Sequence, residues 1–159
     1  MYGAQPTQSV SRLAALDCGI PIDSQYFDDA RVVDLPGLGL SALLARVELP
    51  PQYCGVLEYF SQYTDLFSRD PTEVQTPGLL WQILANGRPL SPYHQLATIL
   101  NPWGFGSFQF SIRVPEGAVL EMVVRRTASE VASPGKVINM VGGRLLGRYW
   151  YDQAYGATQ

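Results

Sequence analysis

One histidine and two cysteines set the limits on side-chain chemistry in this 159-residue chain. His94 stands in the run Ser91-Pro92-Tyr93-His94-Gln95-Leu96. No GxSxG or similar nucleophile signature accompanies it, so it reads as a loop histidine rather than part of a Ser/His/Asp or Cys/His device. Cys18 and Cys54 lie 36 positions apart, match neither zinc nor CxxC spacing, and do not close a coordination shell with a single His. Both read as small buried residues, free thiols in a reducing compartment. The densest acidic group is Asp23, Asp28, Asp29 and Asp34, without the DxDxDG loop of a calcium site, and reads as a solvated acidic stretch. Glu58 and Glu121 are strand acids that a glycosidase would need side by side, and nothing in the sequence brings them together. The glycine-rich runs Asn101–Gly106 and Val141–Gly147 lack the strand, loop and helix order of a phosphate cradle and read as turns. The expectation is a chain with no catalytic residue, no metal and no cofactor.

What remains is recognition by surface. The aromatic set is large, with 3 Trp, 9 Tyr and 6 Phe. Trp103 and Phe105 fall in a tight loop, and Tyr149, Trp150, Tyr151 and Tyr155 crowd the C-terminal end. Such side chains stack on sugar rings, anchor a protein partner or fill a core; Trp81 and Trp150 are expected in the core. The cations are 10 Arg and the single Lys136. Arginines used this way suit fixed bidentate contacts at interfaces, although the base composition of a genome produces the same bias. With a net charge of −3 and scattered arginines, the chain has no footprint for a nucleic-acid backbone. No apolar run reaches the ~18 residues that span a bilayer, and residues 1–19 lack the basic start and apolar core of a signal peptide. Neither a membrane span nor export by the chain's own signal is expected.

The elements that must carry these residues are strands. Fifteen Gly and 12 Pro keep them short. In Ser107–Arg126, Phe108, Phe110, Ile112 and Val114 alternate with polar residues up to Pro115-Glu116-Gly117, and Leu120, Met122 and Val124 follow with the same period; this predicts a hairpin. Ser41–Leu49 alternates, as does Gly55–Tyr63, where Leu57, Tyr59, Ser61 and Tyr63 make the better core face. Gly78–Ala85 runs into Asn86-Gly87, a strong turn signal, and Asp65–Thr76 is a loop. Lys136–Val141 and Arg144–Tyr151 are two further strands, with Gly142-Gly143 a bulge or turn between them. The fold expected is all-β: an antiparallel sandwich of jelly-roll type with about eight strands over residues 37–159. Residues 1–36 are set apart as an irregular arm, with a short strand at Gln25–Val33. Its apolar Leu13, Ile20, Tyr26, Phe27 and Val32 are expected to bury themselves outside their own sandwich.

Three segments, Gly78–Leu90, Ser111–Arg126 and Val141–Asp152, together resemble small structural proteins of tailed-bacteriophage virions. The likeness spans about residues 78–152 and rests on pattern, with no active-site motif to carry over. It implies a β-sandwich that decorates a capsid, forms a neck or collar, or adapts a fibre. It also implies a location in the virion, after synthesis in the host cytoplasm. The partners implied are further copies of the chain and other virion proteins such as capsid, portal or connector, with neither nucleic acid nor membrane. The residues expected to meet those partners are Tyr26, Phe27, Trp103, Phe105, Arg125, Arg144 and Arg148, the arginines pairing with acids of the next subunit or of the particle. The alternative is a non-catalytic carbohydrate-binding module using Trp103 and its aromatic neighbours.

Overall fold

A computed structural model of the chain describes residues 20–21, 23–66, 78–90, 106–132, 135 and 137–152; for 106–111 it describes the backbone alone. Eight strands are present among these residues, and no helix: β1 (Gln25–Asp34), β2 (Ser41–Glu48), β3 (Tyr53–Thr64), β4 (Leu79–Ala85), β5 (Arg88–Pro89), β6 (Gly106–Val114), β7 (Val119–Arg126) and β8 (Met140–Tyr151). The turn between β4 and β5 organises them. Asn86 and Gly87 both take positive φ, 51° and 75°, as a tight I′-type hairpin demands. On either side of that turn the strands pair in mirror order, β4 with β5, β3 with β6, β2 with β7 and β1 with β8, all antiparallel. The ribbon then rolls up, joining β3 to β8 and β4 to β7. The result is two four-stranded sheets, β1-β8-β3-β6 and β2-β7-β4-β5. This pairing is a jelly-roll sandwich.

The core lies between the sheets. Trp81 (1% exposed), Phe60, Leu44, Leu57, Leu79, Ile83, Leu120, Met122 and Leu145 are its largest fully buried members among the described residues. Each contributes about 1.5–3 kcal/mol by leaving water. The glycines of β8 make room for them. A Cβ on Gly143 would stand 2.7 Å from Met122 Sδ and 3.0 Å from Leu44 Cβ, and one on Gly147 would overlap the Val56 carbonyl and the Phe27 ring. Gly142-Gly143 is therefore not a break between two strands. Both residues lie inside the continuous strand β8, which begins at Met140 rather than Lys136, because close packing leaves no space for side chains there.

Three further expectations change. The segment Ser107–Arg126 is not a hairpin: β6 joins the first sheet and β7 the second, so Pro115-Glu116-Gly117 crosses between layers. Their apolar faces thus meet across the core, where Val114 and Leu120 are both buried, instead of lying side by side. In β3 a bulge between Leu57 and Tyr59 exchanges the faces. Leu57 and Phe60 reach the core, while Tyr59, Ser61 and Tyr63 turn outward. A similar irregularity between Leu43 and Ala45 buries Leu44 and Ala45 in succession. Finally, residues 25–34 of the stretch set apart as an arm form β1, paired with β8 along its whole length, and Phe27 enters the chain's own core. Pairing with β8 satisfies the backbone groups of every second residue along the strand, which a loose arm could not do, and Gly147 leaves the space for the Phe27 ring.

Candidate interaction face

The outward side of the first sheet gathers aromatic and charged residues able to recognise a partner. Because side chains alternate, β8 sends Arg144, Leu146, Arg148 and Trp150 outward. In register beside them lie Tyr26 against Arg148, Asp28 against Leu146, Ala30 against Arg144 and Val32 against Gly142 on β1. On β3, Tyr59, Ser61 and Tyr63 stand against Leu146, Arg144 and Gly142.

Arg148 is the best-held of these. Its Nε donates to both carboxylate oxygens of Glu58 at 3.1 Å, and its Nη2 donates to Glu58 Oε1 at 2.5 Å. The β3 bulge re-aims Glu58 toward this position. Tyr26 covers the guanidinium from the other side, its ring centroid 5.6 Å from Cζ, and is itself 68% exposed. Arg144 makes a second fork, Nε to Asp28 Oδ1 at 2.7 Å and Nη2 to Oδ2 at 2.5 Å. The hydrogen bond from Arg144 holds the Asp28 carboxyl below its usual range, against the opposing effect of burial, and Arg144 is raised in return. The side chains of this pair are 52% and 43% exposed, against 29% and 16% for Arg148 and Glu58. Small Ala30 and Ser61 flank Arg144, leaving an open depression of about 290 Å³ walled by Val32 and Tyr63. The chemistry available is non-covalent: oriented donors, aromatic surface and apolar contact.

Of the residues proposed from sequence, Tyr26, Arg144 and Arg148 come together here. Phe27 does not, because it is a core residue. Arg125 belongs to the other sheet, exposed on β7 opposite Ser41 and Leu80. Trp103 and Phe105 lie outside the described residues, as do His94 and Cys18. Arg144 and Arg148 pair with Asp28 and Glu58 of their own chain. Glu58 was missed as a partner of Arg148, and only the bulge would have revealed it. Glu58 and Glu121 stand on different sheets, on β3 and β7, so they form no acid pair; Glu121 meets Arg46 at 3.6 Å instead. Cys54 is a free, buried thiol whose pKa is pushed up by burial and by nearby Asp152, with Arg113 opposing. Among the described residues no group of three His, Cys, Asp or Glu side chains is placed to hold a metal ion. No helix among them is long and apolar enough to cross a membrane.

No family model and no curated protein matches this chain. Solved structures similar to it at low level include the following two. The crystal structure of FlhE is 16% identical with a TM-score of 0.42, over 79% of this chain and 96% of FlhE. The structure of infectious bursal disease virus, Gt strain, is 9% identical with a TM-score of 0.40, over 84% of this chain. This chain spans 35% of the length of that viral chain. Likeness of this degree carries no functional weight, and the fold rests on the strand pairing described above.

Proposed function

We infer that this protein is a non-catalytic structural subunit of a tailed-phage virion, working through protein–protein contacts in a symmetric assembly. Jelly rolls serve both viral capsids and lectins, so the fold alone does not choose between them. The observation that carries the reading is the outward face of the first sheet. It is open, bears a shallow depression, and concentrates Tyr26, Tyr59, Tyr63, Trp150 and two arginines oriented by carboxylates. Tyr, Trp and Arg are the residue types that dominate protein interfaces, and a pre-oriented arginine loses little freedom on binding. The resemblance of residues 78–152 to virion sandwich proteins supports the particle as the place of action.

The test is mass spectrometry and cryo-microscopy of purified particles from the phage that encodes the chain. A constant copy number at a symmetric position is expected, together with reduced incorporation of a Tyr26→Ala, Arg148→Ala variant that still folds. Absence from particles would overturn the role. Specific binding on a glycan array, lost in the same variant, would move the face to carbohydrate recognition.

A further inference from the structure

The flank of the sandwich where β1 and β2 lie presents two sheet edges that are treated differently. On β2, the N–H of Arg46 is taken by Asp29 Oδ2 at 2.7 Å, so a side chain of β1 plugs that edge. On β1 itself nothing comparable occurs. Leu35 N–H bonds to the Asn139 carbonyl, continuing the β8 ladder, so the odd-numbered residues of β1 point their backbone groups toward β8. The even-numbered residues Tyr26, Asp28, Ala30, Val32 and Asp34 therefore aim N–H and C=O away from the sheet. Those groups have no partner among the described residues. The strand is ten residues long, pairs with β8 without a bulge, and contains neither Pro nor Lys. Bulges, prolines and charged side chains blunt natural edges; β1 has only the charges Asp28, Asp29, Arg31 and Asp34, and a long regular edge is a template for another strand where such charges are matched.

We propose that this edge pairs antiparallel with the β1 edge of a second copy of the chain, about a two-fold axis at Ala30, joining two sheets into one of eight strands. Charge selects the register. A two-fold axis normal to the sheet keeps outward residues opposite outward residues, so residue numbers facing each other sum to an even value. With Ala30 opposite Ala30, Asp29 of each copy faces Arg31 of the other, in the closely spaced non-hydrogen-bonded positions where cross-strand side chains meet. Moving the axis to residue 29 sets Asp29 against Asp29, and moving it to residue 31 sets Arg31 against Arg31. Arg31 has only a loose contact of its own, 3.5 Å to Asp29, and is available to the partner. Asp28 is already neutralised by Arg144. A small residue falls on the axis, and the two outward faces become continuous across it. This rests on the reading of the protein as an assembled subunit and names the surface that assembly uses.

The test uses the full chain. Ala30→Cys, mildly oxidised, is expected to cross-link into a covalent dimer that reductant reverses. Val32→Cys, which faces Asp28 of the partner, is expected to cross-link at least tenfold less. Ala30→Pro removes only an outward-pointing N–H on an edge strand, so circular dichroism is expected to stay unchanged while the sedimenting mass halves. Equal cross-linking at both positions, no cross-linking at Ala30→Cys, or an unchanged mass in folded Ala30→Pro would overturn the pairing. If the mass stays unchanged while particles still carry the protein, the edge is wrong and the virion role stands. If Ala30→Cys cross-links as expected but particles lack the protein, the role is wrong and the pairing stands.

Discussion

The two faces of β8 show how one strand divides its labour. Inward, a Cβ on Gly143 would collide with Met122 and Leu44 and one on Gly147 with Phe27, while Leu145 between them is fully buried. Outward, Arg144 and Arg148 alternate with Leu146 and Trp150 in a surface row where side chains have room. The inner row is governed by shape, the outer by charge. The lesson is that a glycine-rich segment can be structural and a recognition segment at once, because alternation separates the two demands by a single residue.

The sharpest way to break this contrast is on the inner side. Gly147→Val would drive methyl groups into the Val56 carbonyl and the Phe27 ring. The cost is expected to exceed the ~1–3 kcal/mol of ordinary overpacking and to leave little folded protein, as read by thermal melting. Leu145→Ala, at a fully buried position, is expected to cost about 2–5 kcal/mol in urea titration.

On the outer side the effects shrink with exposure. Arg148→Ala leaves the Glu58 carboxylate, 16% exposed, without its fork, and a loss of about 1–3 kcal/mol is expected. Arg144→Ala, on the exposed pair, is expected to cost about 0.2–1 kcal/mol and less at high salt. A pair of melting curves at low and high salt distinguishes the two.

Acid supplies the smallest effect. Asp28 titrates below its ordinary value in the folded chain. So does Asp65, where burial raises the carboxyl but bonds from the Met140 and Asn139 backbone and the Asn139 side chain outweigh it. A depressed folded pKa gives stability that is complete above the unfolded value and is lost as pH falls through the folded one. Stability is therefore expected to decline modestly below the normal carboxylate range, and the decline should be smaller in Asp65→Asn.

Much of the fold was legible because period-2 patterns report strands directly. Trp81 and Ile83 alternate cleanly in Gly78–Ala85, and Asn86-Gly87 marked the hairpin about which the whole ribbon folds. Bulges were not legible, since the extra residue at Glu58 leaves no trace in composition yet exchanges the faces of β3. Nor could alternation tell a hairpin from a crossover: Val114 and Leu120 are buried either way, and only the longer-range partners β3 and β2 decide. The candidate face was half legible. Tyr26, Arg144 and Arg148 carried a signal in residue type, whereas their acids Asp28 and Glu58 are 116 and 90 positions away in the chain and are joined to them by topology alone.

As proposed, both the outward face and the β1 edge require the chain to assemble with further copies of itself. Sedimentation of the full chain across a wide concentration range tests that assembly most directly. A mass that is an even multiple of 17.5 kDa and persists on dilution to micromolar protein is the predicted result. A sharp 17.5 kDa species at every concentration would contradict it.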